Sequence, residues 1–223
     1  MSNFVAELRD VHKSFGNTVV FCDVNFAIAE RDTVSICGDS GSGKTTLINV
    51  LGLLEPPTSG RVIWESCEVT YTKMSRVARL RSKIFGYIFQ QCNLIPELNV
   101  VENLMLPKRI AGEAGEADVD FVRQLLRQTQ LTKFENRAVS TLSGGERQKV
   151  AAIRAMVNRP RVIVADEPTG NLDEKSANLV MDAIVGLCNS CGSALLLITH
   201  NKRFAEKMQT SYVLTNMRLR RME

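Results

Sequence analysis

The chain has 223 residues, with 28 basic against 24 acidic side chains and a formal net charge of +4. Hydrophobic residues make up 44% and charged residues 23%, a globular composition that excludes a disordered or collagen-like chain and allows one large domain or two small ones. The charge excess is too mild to imply nucleic acid, and no apolar run approaches the roughly 20 residues of a membrane-spanning helix.

From the N-terminus, Glu7 and Asp10 arrive before a signal-peptide core could form, so a cytosolic chain is expected. Phe4 to Phe15 and Val19 to Ile28 read as strands joined by a turn at Gly16-Asn17, with Val24, Phe26 and Ile28 on one face. Thr33 to Cys37 is a short apolar strand that runs into a glycine-rich loop. A helix is expected from Lys44 to about Leu54, stopped by Pro56-Pro57-Thr58-Ser59-Gly60. Arg61 to Trp64 and Phe85 to Phe89 are strand-like. Val100 to Thr129 reads as helix, broken by Pro107 and by Gly112 to Gly115. A helix from Gly145 to Asn158, a strand at Val162 to Ala165, a helix from Glu174 to Cys191 and a strand at Leu195 to Thr199 complete the pattern. Strand alternating with helix predicts an α/β fold with a parallel sheet.

Six cysteines are present: Cys22, Cys37, Cys67, Cys92, Cys188 and Cys191. In a cytosolic chain they are expected as reduced thiols buried like small apolar residues. Cys188-x-x-Cys191 is the one suggestive spacing, and no second pair or neighbouring His completes a zinc cage.

Gly38-Asp39-Ser40-Gly41-Ser42-Gly43-Lys44-Thr45 fits the phosphate-binding pattern G-x-x-x-x-G-K-[ST], between a strand and a helix. Glycines let backbone N–H groups close around phosphate oxygens, and the helix N-terminus adds partial positive charge. Lys44 is placed for the β- and γ-phosphates of a nucleotide and Thr45 for Mg²⁺. Val162 to Ala165 is an apolar strand ending in Asp166-Glu167. A carboxylate there can hold Mg²⁺, and its neighbour can act as general base toward water. Gln90 and His200 end two further strands and open onto the same sheet edge.

Leu142-Ser143-Gly144-Gly145-Glu146 resembles the signature motif of ATP-binding-cassette (ABC) ATPases, with Glu in place of the usual Gln. The resemblance extends to Gln90 as the Q-loop glutamine, Asp166-Glu167 as the acidic pair, Asn171-Leu172-Asp173 as the D-loop and His200 as the switch histidine. Phe15 stands where the family has an adenine-stacking Tyr, and Thr46 follows Thr45 where Ser-Thr is commoner. The resemblance implies an α/β P-loop NTPase core with a mainly parallel sheet, an N-terminal antiparallel β region and a helical subdomain inserted at about residues 92–143 of a single 1–223 nucleotide-binding domain. It implies ATP and Mg²⁺, the latter held by Thr45, Asp166 and Gln90. It also implies a homodimer in which Ser143, Gly144, Gly145, Glu146 and Asp173 complete the partner's nucleotide site. Gly86-Tyr87-Ile88-Phe89-Gln90-Gln91 and the stretch Asp166 to Asp173 are most similar to the lipoprotein-release, macrolide-export and cell-division branch. That branch implies an ATPase working on a separate FtsX- or MacB-like permease, with membrane contact through the permease and no nucleic acid. The alternative it leaves is a cell-division or cell-wall regulator that signals through a membrane partner. The stretch Leu94 to Val101 is unusually apolar for a loop and is the expected permease contact. A basic run, Lys73, Arg76, Arg79, Arg81 and Lys83, lies upstream with no acid in between.

Overall fold

The computed structural model describes residues 4–222. In chain order its elements are β1 (Phe4–Phe15), β2 (Thr18–Ala29), β3 (Thr33–Cys37), α1 (Lys44–Leu51), β4 (Ser59–Trp64), β5 (Cys67–Glu68), α2 (Met74–Ile84) and β6 (Phe85–Ile88). They continue as α3 (Val100–Ala111), α4 (Glu116–Gln128), α5 (Gly144–Met156), β7 (Val162–Asp166), α6 (Glu174–Cys191), β8 (Ala194–Ile198), α7 (Lys202–Ala205), β9 (Thr210–Thr215) and β10 (Arg218–Arg221). An antiparallel sheet runs β2-β1-β4-β5, and a second sheet runs β10-β9-β3-β8-β7-β6. The second is parallel throughout except for the β9–β10 hairpin.

The central strands are apolar without alternation because both their faces are buried. Val162 and Val164 of β7 pack with the antiparallel sheet and α1, while Ile163 and Ala165 pack with α3, α5 and α6. β8 divides the same way, Leu196 to one side and Leu195 and Leu197 to the other. The expected mainly parallel α/β core and the N-terminal antiparallel region are therefore both present.

Local departures have local causes. α1 ends at Leu51 rather than near Leu54, because Gly52 caps it and Leu53 turns to φ 58°. A Cβ on residue 52 would lie 1.6 Å from the Tyr87 hydroxyl, which donates to the Gly52 carbonyl at 3.1 Å. Pro107 does not break α3. It forgoes one main-chain bond, but buried Val100, Leu104 and Met105 and the Asn99–Glu102 capping box hold the helix, and the break falls at Gly112, φ 70°. α2 reads in the sequence as a basic run because Arg76, Arg79, Arg81 and Lys83 are interleaved with its apolar residues, and the helix buries just Val77 and Ile84. Of the six cysteines only Cys188 is buried. Cys67 is exposed and the other four are half-buried, so the expectation of general burial fails. Burial, with Cys191 nearby, pushes the Cys188 thiol well above its ordinary range. No group of three or more His, Cys, Asp or Glu that could hold a metal exists among the described residues.

Asn103 of α3 is fully buried. Its Oδ1 accepts from Ile95 N at 2.8 Å, and its Nδ2 donates to the carbonyls of Ile95, Leu98 and Asn99. One side chain thus organises the whole 95–99 loop. Asn103→Leu keeps the volume and strands those groups. We expect a loss of about 1–3 kcal/mol in urea unfolding and faster amide exchange at Ile95.

Candidate nucleotide site

The strands β3, β6, β7 and β8 are parallel, so their C-terminal ends share one edge of the sheet. Ligands bind at such edges in open α/β folds. The Gly38–Thr45 loop leaves β3 there and turns into α1. Gly38, Gly41 and Gly43 have φ of 152°, 79° and 97°. A Cβ at residue 38 would meet the Leu214 carbonyl oxygen at 2.6 Å, and one at residue 43 would meet Val20 Cγ1 at 2.6 Å. α1 carries no acidic residue in its first turn and has no side-chain cap. Its N-terminal N–H groups are therefore left for an anion. Lys44 Nζ donates to the Gly38 and Asp39 carbonyls at 2.7 Å each, and Ser42 Oγ lies 3.5 Å away. Asp39, Ser40 and Thr45 are exposed, and Thr46 is half-buried.

Asp166 ends β7, half-buried. Burial raises its pKa above the carboxylate range; Glu167 adds to the rise and Lys44 opposes it. Glu167 has φ 45°, a left-handed turn that directs its carboxylate toward the end of β8. There Oε1 accepts the His200 N–H at 2.9 Å and lies 2.8 Å from His200 Nδ1, while the Thr199 hydroxyl donates to Oε2 at 3.4 Å. Gln90 is exposed two residues past β6, and its Nε2 donates to Asn171 Oδ1 at 3.3 Å. Gly170 lies beneath it, where a Cβ would come within 2.8 Å of Gln90 Nε2 and shift that side chain.

Phe15 closes β1 with 52% of its surface exposed, and Lys13 Nζ sits 4.6 Å from its ring centroid. Lys13 is itself buried against Glu55 and the Pro56 carbonyl. An exposed aromatic backed by a fixed cation offers a flat stacking face.

The Ser143–Glu146 segment opens α5. Among the described residues no hydrogen bond joins it to residues 38–46. Ser143 caps α5, and Glu146 accepts from the Ser143 N–H and hydroxyl at 2.8 Å each. The backbone hydrogen bond from Ser143 leads in holding the Glu146 carboxyl below its ordinary range. Glu in the last place of the motif thus completes a capping box. Gly144 abuts Leu172, and Asp173 caps α6 by accepting from Ser176 N at 3.0 Å. Sequence reasoning missed Thr199, Lys13 and Gln148. Gln148 is buried and donates to the Phe89 carbonyl at 2.9 Å, while Arg154 donates to those of Cys92 and Asn93, so α5 grips the segment after Gln90. Only their long-range partners reveal these three residues.

A family model described as "ABC transporter" matches residues 21–170. The chain belongs to the ABC transporter family. It is an ATP-binding, ATP-hydrolysing cassette of that family. It is 36% identical over 220 residues to the lipoprotein-releasing system ATP-binding protein LolD of Idiomarina loihiensis, covering 97% of this chain and 96% of that one. It is 36% identical over 218 residues to LolD of Rickettsia bellii, covering 96% of each. The solved ATP-binding cassette MJ0796, a dimer in a post-hydrolysis state bound to ADP and Pi, superposes with a TM-score of 0.84 at 31% identity over 98% of both chains.

The raised Asp166 pKa has a stability consequence. A carboxyl whose folded pKa lies above its unfolded value penalises the folded state once pH rises through the folded pKa, and the penalty vanishes below the unfolded value of about 4. Without nucleotide or divalent cation, Asp166→Asn is expected to raise the thermal midpoint at pH 7 and to leave it unchanged near pH 3. Thermal unfolding followed by circular dichroism at both pH values checks this.

Proposed function

We propose that the chain powers a separate membrane permease of the FtsX or MacB type, as a homodimer on the cytoplasmic face of the inner membrane, in lipoprotein release or a related export or mechanotransmission step. No helix among the described residues is long and apolar enough to cross a membrane, which fits a subunit held there by a partner. We read residues 1–223 as one nucleotide-binding domain, with the helical subdomain at about 92–143 inserted in the α/β core. The observation that carries the reading is the arrangement of two helix N-termini. One, at Lys44, closes a phosphate loop beside Asp166, Glu167 and His200. The other, at Ser143, has no hydrogen bond to that loop. One ATP needs one cradle, so the second serves the ATP of another copy.

In this reading Gly38 to Thr46 hold the ATP phosphates, Lys44 exchanges its loop carbonyls for the β- and γ-phosphates, and Phe15 stacks on adenine. Ser143, Gly144, Gly145, Glu146 and Asp173 approach the nucleotide of the partner. Thr45, Asp166 and Gln90 offer oxygen donors of the kind Mg²⁺ prefers, and the unfavourable burial of Asp166 beside Glu167 fits a site that takes a cation. When held there, Mg²⁺ would offset the negative charge that develops on the phosphate oxygens. Glu167 accepts the proton of the attacking water as phosphate leaves ADP, and His200 and Thr199 hold its carboxylate in place. A hollow of about 480 Å³ lined by Gln90, Leu94, Pro96, Arg147 and Leu172 opens beside the Q-loop. Leu94 packs partly on the core and Val100 is buried, while Ile95 is 40% exposed. The permease contact therefore narrows to this hollow and its rim.

Glu167→Gln removes the base and keeps the shape. We expect ATP binding to persist while hydrolysis falls by about 10²–10⁴-fold, with an ATP-bound dimer accumulating on size exclusion. Wild-type turnover in that variant contradicts the assignment of the base. Ser143→Arg is expected to stop turnover while the monomer still binds ATP. Mixing it with Lys44→Ala regenerates one intact composite site per heterodimer and returns part of the activity. Full activity of Ser143→Arg alone ends the two-chain reading.

A further inference from the structure

We propose that α2 and the C-terminal end of α3 form a contact surface for anionic phospholipid headgroups, a direct membrane contact added to the one through the permease. It rests on the reading above only in placing the chain at a membrane.

Lys73, Arg76, Arg79 and Lys83 are all exposed, the last three at i, i+3 and i+7 along one side of α2. Such spacing brings side chains onto one face of a helix. Among the described residues none of these four, nor exposed Arg109 at the end of α3, has an acid within salt-bridge distance. α2 itself contains no acidic residue. Cations left unpaired in this way keep their field for an external anion. Their side chains are long, so the field is spread along the helix rather than focused in one cleft.

The stripe leads to a hollow of about 350 Å³, where Arg79 and Lys83 face Lys108, with Ser82, Glu113 and Asn158 in the wall. Lys108 is already paired with Asp118 at 3.2 Å. The cations free to meet a phosphate in this hollow are therefore Arg79 and Lys83, opposed by Glu113. Ile110, between exposed Arg109 and Ala111 of the hollow's wall in the chain, has 82% of its surface exposed, the highest among the exposed large hydrophobic residues. Cations mixed with protruding aliphatic side chains suit an interface of charged headgroups over acyl chains. An acidic protein segment would leave Ile110 without a matching partner, so the lipid surface is the occupant that uses both features.

The test is flotation of the purified chain with phosphatidylcholine vesicles, alone or with 30% phosphatidylglycerol, at about 0.05 M and about 0.5 M salt. The wild type is expected to float with the anionic vesicles at low salt and to be released by high salt or by neutral lipid. Arg76→Gln with Arg79→Gln and Lys83→Gln keeps helix propensity and lies outside the nucleotide site. It is expected to weaken vesicle binding by about a hundredfold, at roughly fivefold per charge, with ATPase rate unchanged. A charge-matched control, Arg218→Gln with Arg220→Gln and Arg221→Gln, is expected to bind vesicles nearly as the wild type does. Absence of wild-type binding overturns the proposal, and so does equal loss in the two triple variants, which would reduce the effect to net charge. Normal vesicle binding by the α2 variant overturns it too, and loss of permease co-purification in that case would assign the stripe to a protein partner. ATPase activity read on the same samples separates these outcomes from failure of the transport reading.

Discussion

Ile198 of β8 pairs with Ile36 of β3 on one side and with Asp166 of β7 on the other. This parallel register is the constraint on which the site depends. It brings the phosphate loop, the acidic pair and the Thr199-His200 turn off the sheet at one level. Two further main-chain bonds continue it beyond the strands, from Glu167 N to the Ile198 carbonyl at 2.9 Å and from Thr199 N to that of Ile36 at 3.4 Å. A one-residue slip in any of these pairs would turn alternate side chains to the other face and take Glu167 away from His200. The burial of β7 and β8 on both faces makes such a slip costly, so the apolar core underwrites the geometry of the polar edge.

Two features of that edge are held away from their ordinary state. Lys44 is folded onto carbonyls of its own loop, and Glu167 sits at positive φ against His200. Backbone strain of this kind persists where the surroundings over-determine it; here a main-chain bond, a ring nitrogen and a hydroxyl fix one carboxylate. His200 is exposed, which leaves this side of the arrangement open toward solvent.

Much of this was legible in the sequence, because the phosphate loop, the acidic pair and the signature are local. Their spacing and flanking strands announce them, and β3, β7, β8, α6 and the length of β1 followed from apolar runs and turns. What stayed hidden depends on distant partners. α2 reads as a charge run because it buries only Val77 and Ile84. Pro107 reads as a helix breaker because the burial that overrides it comes from α4 and α5. The roles of Gln148, Arg154 and Asn103 rest on carbonyls that only the folded chain presents. Glu146 is legible as part of a motif, and the Ser143-x-x-Glu146 spacing also encodes the capping box that the structure shows.

In the two-chain reading the Ser143 helix terminus serves the nucleotide of another copy, and the single chain is an incomplete catalyst. The most direct test is the ATPase rate per chain, without any permease, as a function of chain concentration at saturating ATP. Specific activity that rises with concentration and then levels off is the predicted result. Specific activity independent of concentration, with a sedimentation coefficient of the monomer throughout, would contradict the account.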